Sequence, residues 1–151
     1  INMEVNKSKI FAQFTAGIFG GTILGITGFL TMMNYGGNYG CWSFIDSLFG
    51  TAGYESCGSF GSIVGEIIGV VLGILILSKS KITNYTKVAF LLLLGAFVLP
   101  FLYGVMMFWP PFEDGDLLIV PPFVLIAMVA ASVPSLIFTG IINWRKFLRK
   151  K

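Results

Sequence analysis

Between Phe60 and Leu77 the chain is apolar apart from Ser62 and a single carboxylate, Glu66, and glycine returns at every fourth position: Gly61, Gly65, Gly69 and Gly73. In a helix, that spacing lays four side-chain-free positions along one slowly drifting stripe, where another backbone can come close. At about 1.5 Å per residue the run is roughly 27 Å long, close to the ~30 Å of a bilayer's hydrocarbon core. Glu66 is costly in such surroundings. It needs a polar partner, a water-filled cavity or a proton.

Three further runs have the same character. Ile10 to Met33 is long enough to cross with tilt, and too long and glycine-rich for the apolar part of a cleaved signal. Val88 to Trp109 contains Pro100, and Pro121 to Asn143 contains Pro134; proline inside such a helix frees a carbonyl and kinks it. Pro121 and Pro122 suit a helix start, where missing backbone donors cost little. Only 11% of the residues are charged, against about 25% in a soluble domain. The expectation is one all-α integral membrane domain over residues 1–151, a bundle of four transmembrane helices at about 10–33, 60–77, 88–109 and 121–143.

Asn34 to Ser59 is then the substantial extramembrane segment. It opens on Asn-Tyr-Gly-Gly-Asn-Tyr-Gly, which reads as a turn. Trp42, Ile45 and Phe49 follow at helical spacing, as in a short helix that lies at the interface, packs over the helix ends, or does both. Cys41 and Cys57, the two cysteines of the chain, fall in this loop, where a disulfide would close about 17 residues and contribute roughly 3 kcal/mol.

Charge sets the expected orientation. Lys7, Lys9, Lys79, Lys81, Lys87 and the run Arg145 to Lys151 fall on one side; Asp46, Glu55, Glu113, Asp114 and Asp116 fall on the other. Both termini are therefore expected in the cytoplasm, with the cysteine loop outside. The net charge of +3 reads as a topological signal beside the spans, not as a surface for nucleic acid. The basic tail reads as an anchor flanked by Trp144, with anionic lipid as the other use.

Small residues form two more stripes: Gly17, Gly21 and Gly25, with Gly20 and Gly28 close by, and Ala127, Ala131, Ser135 and Thr139. These glycine-zipper-like faces serve either the chain's own packing or contact with a neighbouring transmembrane chain. Thr27 and Tyr103 count to the same depth as Glu66 and are candidates to hydrogen-bond it. Met32, Met33, Met106 and Met107 are soft ligands in principle, but neighbours on a helix point about 100° apart and cannot clamp a metal as pairs. The chain has no histidine, which excludes histidine-based triads, proton shuttles and bis-histidine haem.

The resulting expectation is a noncatalytic membrane subunit, without cofactor or metal, whose partners are the lipid bilayer and other transmembrane chains or copies of itself. A small oligomeric channel or transporter using Glu66 is the alternative. A lipid-acting enzyme using Glu66, Tyr103, Asp46 or Glu55 comes third, because no nucleophile–base pair is visible.

Overall fold

A computed structural model of the chain describes residues 7–51, 53–80, 82, 84–107 and 120–148, with side chains to residue 106 and over 120–144. The described residues are all-helical: α1 (Lys7–Tyr39), α2 (Ser43–Phe49), α3 (Tyr54–Lys79), α4 (Tyr85–Met107) and α5 (Val120–Leu148). Four of the five, all but α2, are long and apolar enough to cross a membrane. Helices suit that solvent because hydrocarbon offers backbone groups no partners, and a helix satisfies them internally.

α1 is the hub. It packs against α3 most extensively and also against α4 and α5, whereas α3 and α4 have little direct contact. α1 and α3 run antiparallel in a constant register. Ala16 meets Gly73, Gly20 meets Gly69, Leu24 meets Gly65 and Gly28 meets Gly61, the α1 number rising by four as the α3 number falls by four. At each pair a Cβ added to the glycine would run into a carbonyl of the opposite helix. Backbones this close gain dispersion contacts and weak Cα–H···O interactions, about 0.5–1 kcal/mol for each of the latter.

At one end of the molecule, polar side chains tie three helices together. Gln13, fully buried, donates from Nε2 to Ser78 Oγ at 2.8 Å and accepts at Oε1 from Asn143 Nδ2 at 3.1 Å. Asn143 Nδ2 also donates to the Thr139 carbonyl, and Ser135 Oγ donates to the Phe14 carbonyl at 2.7 Å. Beside them Ala12, Ala16, Leu77 and Ala89 form a small core joining α1, α3 and α4. Lys9 sits 5.7 Å over the Tyr85 ring, so the basic starts of α1 and α4 lie together with the Lys79 end of α3.

The other end is longer than the sequence suggests. Residues 34–39, expected as a turn, continue α1 to Tyr39, and α3 begins at Tyr54, ahead of the apolar run. The connection between the two shrinks to residues 40–53. Tertiary packing outweighs the poor helix propensity of glycine here. Gly36 is buried against Gly53, Tyr54 and Cys57, where a side chain would collide. The Tyr35 and Tyr39 rings meet tilted with centroids 5.3 Å apart, and Asn38 Nδ2 donates to the Asn34 carbonyl. Gly40, with φ of +77°, then closes the helix by donating to the Gly36 carbonyl.

α4 and α5 continue as helices through Pro100 and Pro134. Large apolar side chains such as Ile76, Phe90, Leu91, Ile126, Val129 and Leu136 are more than 60% exposed. Apolar surface on that scale suits lipid and would drive association in water.

Candidate functional site

The candidate site lies at the α1–α3–α5 junction, toward the end that carries the disulfide. Its construction begins with glycine. Gly25 leaves room for Glu66, whose Cβ would stand 3.4 Å from a Cβ placed there. Gly21 makes similar room for Val70 and Ala131. With the bare face of α3 pressed onto α1, Glu66 leaves the seam sideways, into a groove of about 300 Å³. Ser59, Ser62 and Ile63 of α3 line it on one side; Phe123, Ile126, Ala127 and Ala130 of α5 line it on the other. Among the described residues the Glu66 carboxyl has no hydrogen-bond or ion-pair partner.

Thr27 and Tyr103 do not supply one. They line a different groove, between α1 and α4, with Ile23, Leu30 and Leu99. Thr27 Oγ1 donates to the carbonyl of Ile23 in its own helix at 2.8 Å. In the α1–α3 register Glu66 stands level with Ile23, about one turn from Thr27, and the rotation about α1 puts the hydroxyls on another side. A third groove of about 400 Å³, lined by Ile26, Phe29, Met33, Pro100, Tyr103 and Phe123 among others, is almost wholly apolar.

The three small-residue stripes all turn inward. Gly61, Gly65, Gly69 and Gly73 face α1. The α1 partners in that seam are Ala16, Gly20, Leu24 and Gly28, while Gly17 faces Ser135 and Ile74, and Gly21 faces Ala131 and Val70. On α5, Ala131, Ser135 and Thr139 are buried and Ala127 is half-buried at the groove wall.

At the far end from Gln13, Cys41 and Cys57 form a disulfide with Cα atoms 5.6 Å apart. It pins the start of α2 to the first turns of α3. α2 is both lid and surface: Ile45 is fully buried, while Phe44 and Leu48 are exposed. Trp42 packs tilted against Tyr35, ring centroids 5.8 Å apart. Asp46 accepts a hydrogen bond from Ser56 Oγ, and the Tyr54 hydroxyl donates to Glu55 at 3.4 Å. Both cysteines are held in the disulfide, so neither offers a thiolate beside the methionines. Met32 instead packs over Gly61, Met33 lies against Gly58, and Met106 is exposed. No group of three or more metal-ligating His, Cys, Asp or Glu residues occurs among the described residues. Lys81, the Met107 side chain, the acidic turn with Glu113, Asp114 and Asp116, and the side chains of the tail from Arg145 onward lie outside the described residues.

Two polar features escape a reading span by span. Gln13, Ser78 and Asn143 belong to three separate helices, and nothing in the sequence pairs them. The row Glu55, Ser59, Ser62 and Glu66, by contrast, is written in the helical spacing itself. Compared with family models, curated proteins and solved structures, the chain matches none.

Proposed function

We propose that this chain is a noncatalytic integral membrane subunit, with both termini in the cytoplasm, that packs against another transmembrane chain to assemble or stabilise a complex. The reading is carried by Glu66: an ionisable side chain in an apolar span, without a partner among the described residues and facing a groove that opens sideways. Intramembrane carboxylates are costly and are normally paired or set in a water-filled cavity. A missing internal partner points to an external one. The orientation follows from the lysines gathered at one end and Asp46 and Glu55 at the other, by the excess of basic residues in short cytoplasmic loops.

The inward-facing stripes narrow the reading. Glycine faces buried in the α1–α3 seam hold this chain together and are not open to a partner, so the intermolecular surface lies elsewhere. The same seam speaks against a transport path through the molecule. Beyond Glu66, α3 continues as Gly69 and Gly73 against the α1 backbone, with apolar residues around them.

Gentle extraction of the native membrane with quantification of what co-purifies tests this function. A second transmembrane chain in fixed ratio is the expected result. A monodisperse single chain of 16.5 kDa binding only lipid would overturn it.

A further inference from the structure

We propose that the groove between α1, α3 and α5 docks a transmembrane helix that brings a lysine or arginine into the bilayer to meet Glu66. The proposal rests on the subunit reading and adds to it the partner's chemistry.

Glu55, Ser59, Ser62 and Glu66 are spaced by four, three and four residues, so at 100° per residue they share one side of α3. The row descends about 16 Å from an exposed carboxylate to a half-buried one. Ser59, Ser62 and Glu66 all line the groove. Ser59 Oγ is turned back onto the Glu55 carbonyl at 2.9 Å, which leaves Glu66 as the strong acceptor at the groove floor. The facing wall, Phe123, Ile126, Ala127 and Ala130, offers no polar side chain.

Charge is segregated along the molecule. All ten lysines and arginines lie at residues 7–9, 79–87 and 145–151, outside every apolar span, and the described ones among them, Lys7, Lys9, Lys79 and Lys87, stand at the end away from the disulfide. Among the described residues, then, no lysine or arginine shares the Glu66 half of the molecule, where Asp46 and Glu55 are also acidic. A second copy brings the same cation-free spans and does not help. A bare metal ion suits the groove poorly, since one carboxylate and two hydroxyls fall short of the oxygen shell a hard cation takes. A long cationic side chain fits better. Its stem covers apolar wall while its head reaches the carboxylate. The small residues Ala127, Ala130, Ser59 and Ser62 let the backbone carrying it approach.

The test reconstitutes the full chain, donor-labelled, in phosphatidylcholine vesicles with acceptor-labelled polyleucine transmembrane peptides. One peptide carries a single lysine about 9 Å below the outer boundary; its controls carry leucine or glutamate there. Energy transfer should show the lysine peptide binding on the order of tenfold more tightly than the leucine peptide. Glu66→Gln should abolish that preference, and Glu66→Asp should retain part of it. Ala127→Phe, which keeps the carboxylate and fills the groove, should weaken binding of the lysine peptide; it decides the matter should Glu66→Gln fail to fold. Equal binding of the lysine and leucine peptides would overturn the proposal, as would a lysine preference that survives both variants. A chain that co-purifies with a partner but shows no lysine preference keeps the subunit reading and loses this one. A lysine preference without any native partner does the reverse.

Discussion

Alanine in place of Gly69 perturbs the α1–α3 seam at its tightest point. The added Cβ would stand 2.5 Å from the Gly20 carbonyl carbon and 2.9 Å from the Gly21 nitrogen. Carbon contacts are comfortable at about 3.5–4.0 Å, so the helices must part by roughly 1 Å. Nothing local can yield, because the opposing atoms are backbone and not the end of a flexible side chain. Overpacking of this kind costs about 1–3 kcal/mol, and the weakened Cα–H···O contacts at neighbouring Leu24–Gly65 and Ala16–Gly73 add about 1 kcal/mol. The better helix propensity of alanine returns up to about 1 kcal/mol, leaving a net loss of about 2 kcal/mol. Gly140 is the control, with nothing within 4 Å of an added Cβ; Gly140→Ala should be neutral or stabilising by up to about 1 kcal/mol. Far-UV circular dichroism during titration of mixed micelles with dodecyl sulfate measures both. The double variant Gly20→Ala with Gly69→Ala should cost less than the sum of its parts, since one separation serves both methyl groups. Equal midpoints for Gly69→Ala and Gly140→Ala would refute the backbone seam, and strict additivity would refute the shared displacement.

Three other outcomes follow from the geometry. Gln13→Ala should destabilise the fold by about 1–2 kcal/mol in the same titration, because it strands Ser78 and removes one acceptor of Asn143. Reducing Cys41–Cys57 should lower stability by roughly 3 kcal/mol and shift the fluorescence of Trp42, which rests on Tyr35 beside the bond; an unchanged emission spectrum would mean the lid holds without it. In a background where the disulfide is intact, a membrane-impermeant maleimide applied to whole cells should label Ser47→Cys and leave Ser8→Cys unlabelled until the membrane is opened, both positions being exposed, Ser47 on α2 and Ser8 at the start of α1.

The long helices were legible because hydrophobicity over some twenty residues is a one-dimensional signal, and so was the pairing of the two cysteines. The ends of α1 and α3 were not. Asn-Tyr-Gly-Gly-Asn-Tyr carries the local chemistry of a turn, and only contact with Gly53, Tyr54 and Cys57 keeps Gly36 helical. The α3 stripe could be read from spacing, but not the side of α1 it would meet. Gly17, Gly21 and Gly25 repeat as regularly as Gly20, Leu24 and Gly28, and Leu24 looks too large for a close seam. It meets Gly65 through its carbonyl. Counting depth along each span puts Thr27 and Tyr103 beside Glu66, whereas the α1–α3 register sets Glu66 level with Ile23 and rotation about α1 turns Thr27 into another groove. Spacing along one helix is thus readable, whereas phase between two helices depends on the packing of all four.

Site-specific photo-crosslinking in intact native membranes tests the account most directly. A photoreactive residue at Ile126, exposed on the α5 wall of the Glu66 groove, is compared with one at Leu91, exposed on α4 away from it. A discrete protein adduct from Ile126 that fades in Glu66→Gln, with only lipid adducts from Leu91, is the predicted result. Lipid adducts alone from both positions, or an Ile126 protein adduct indifferent to Glu66→Gln, would contradict it.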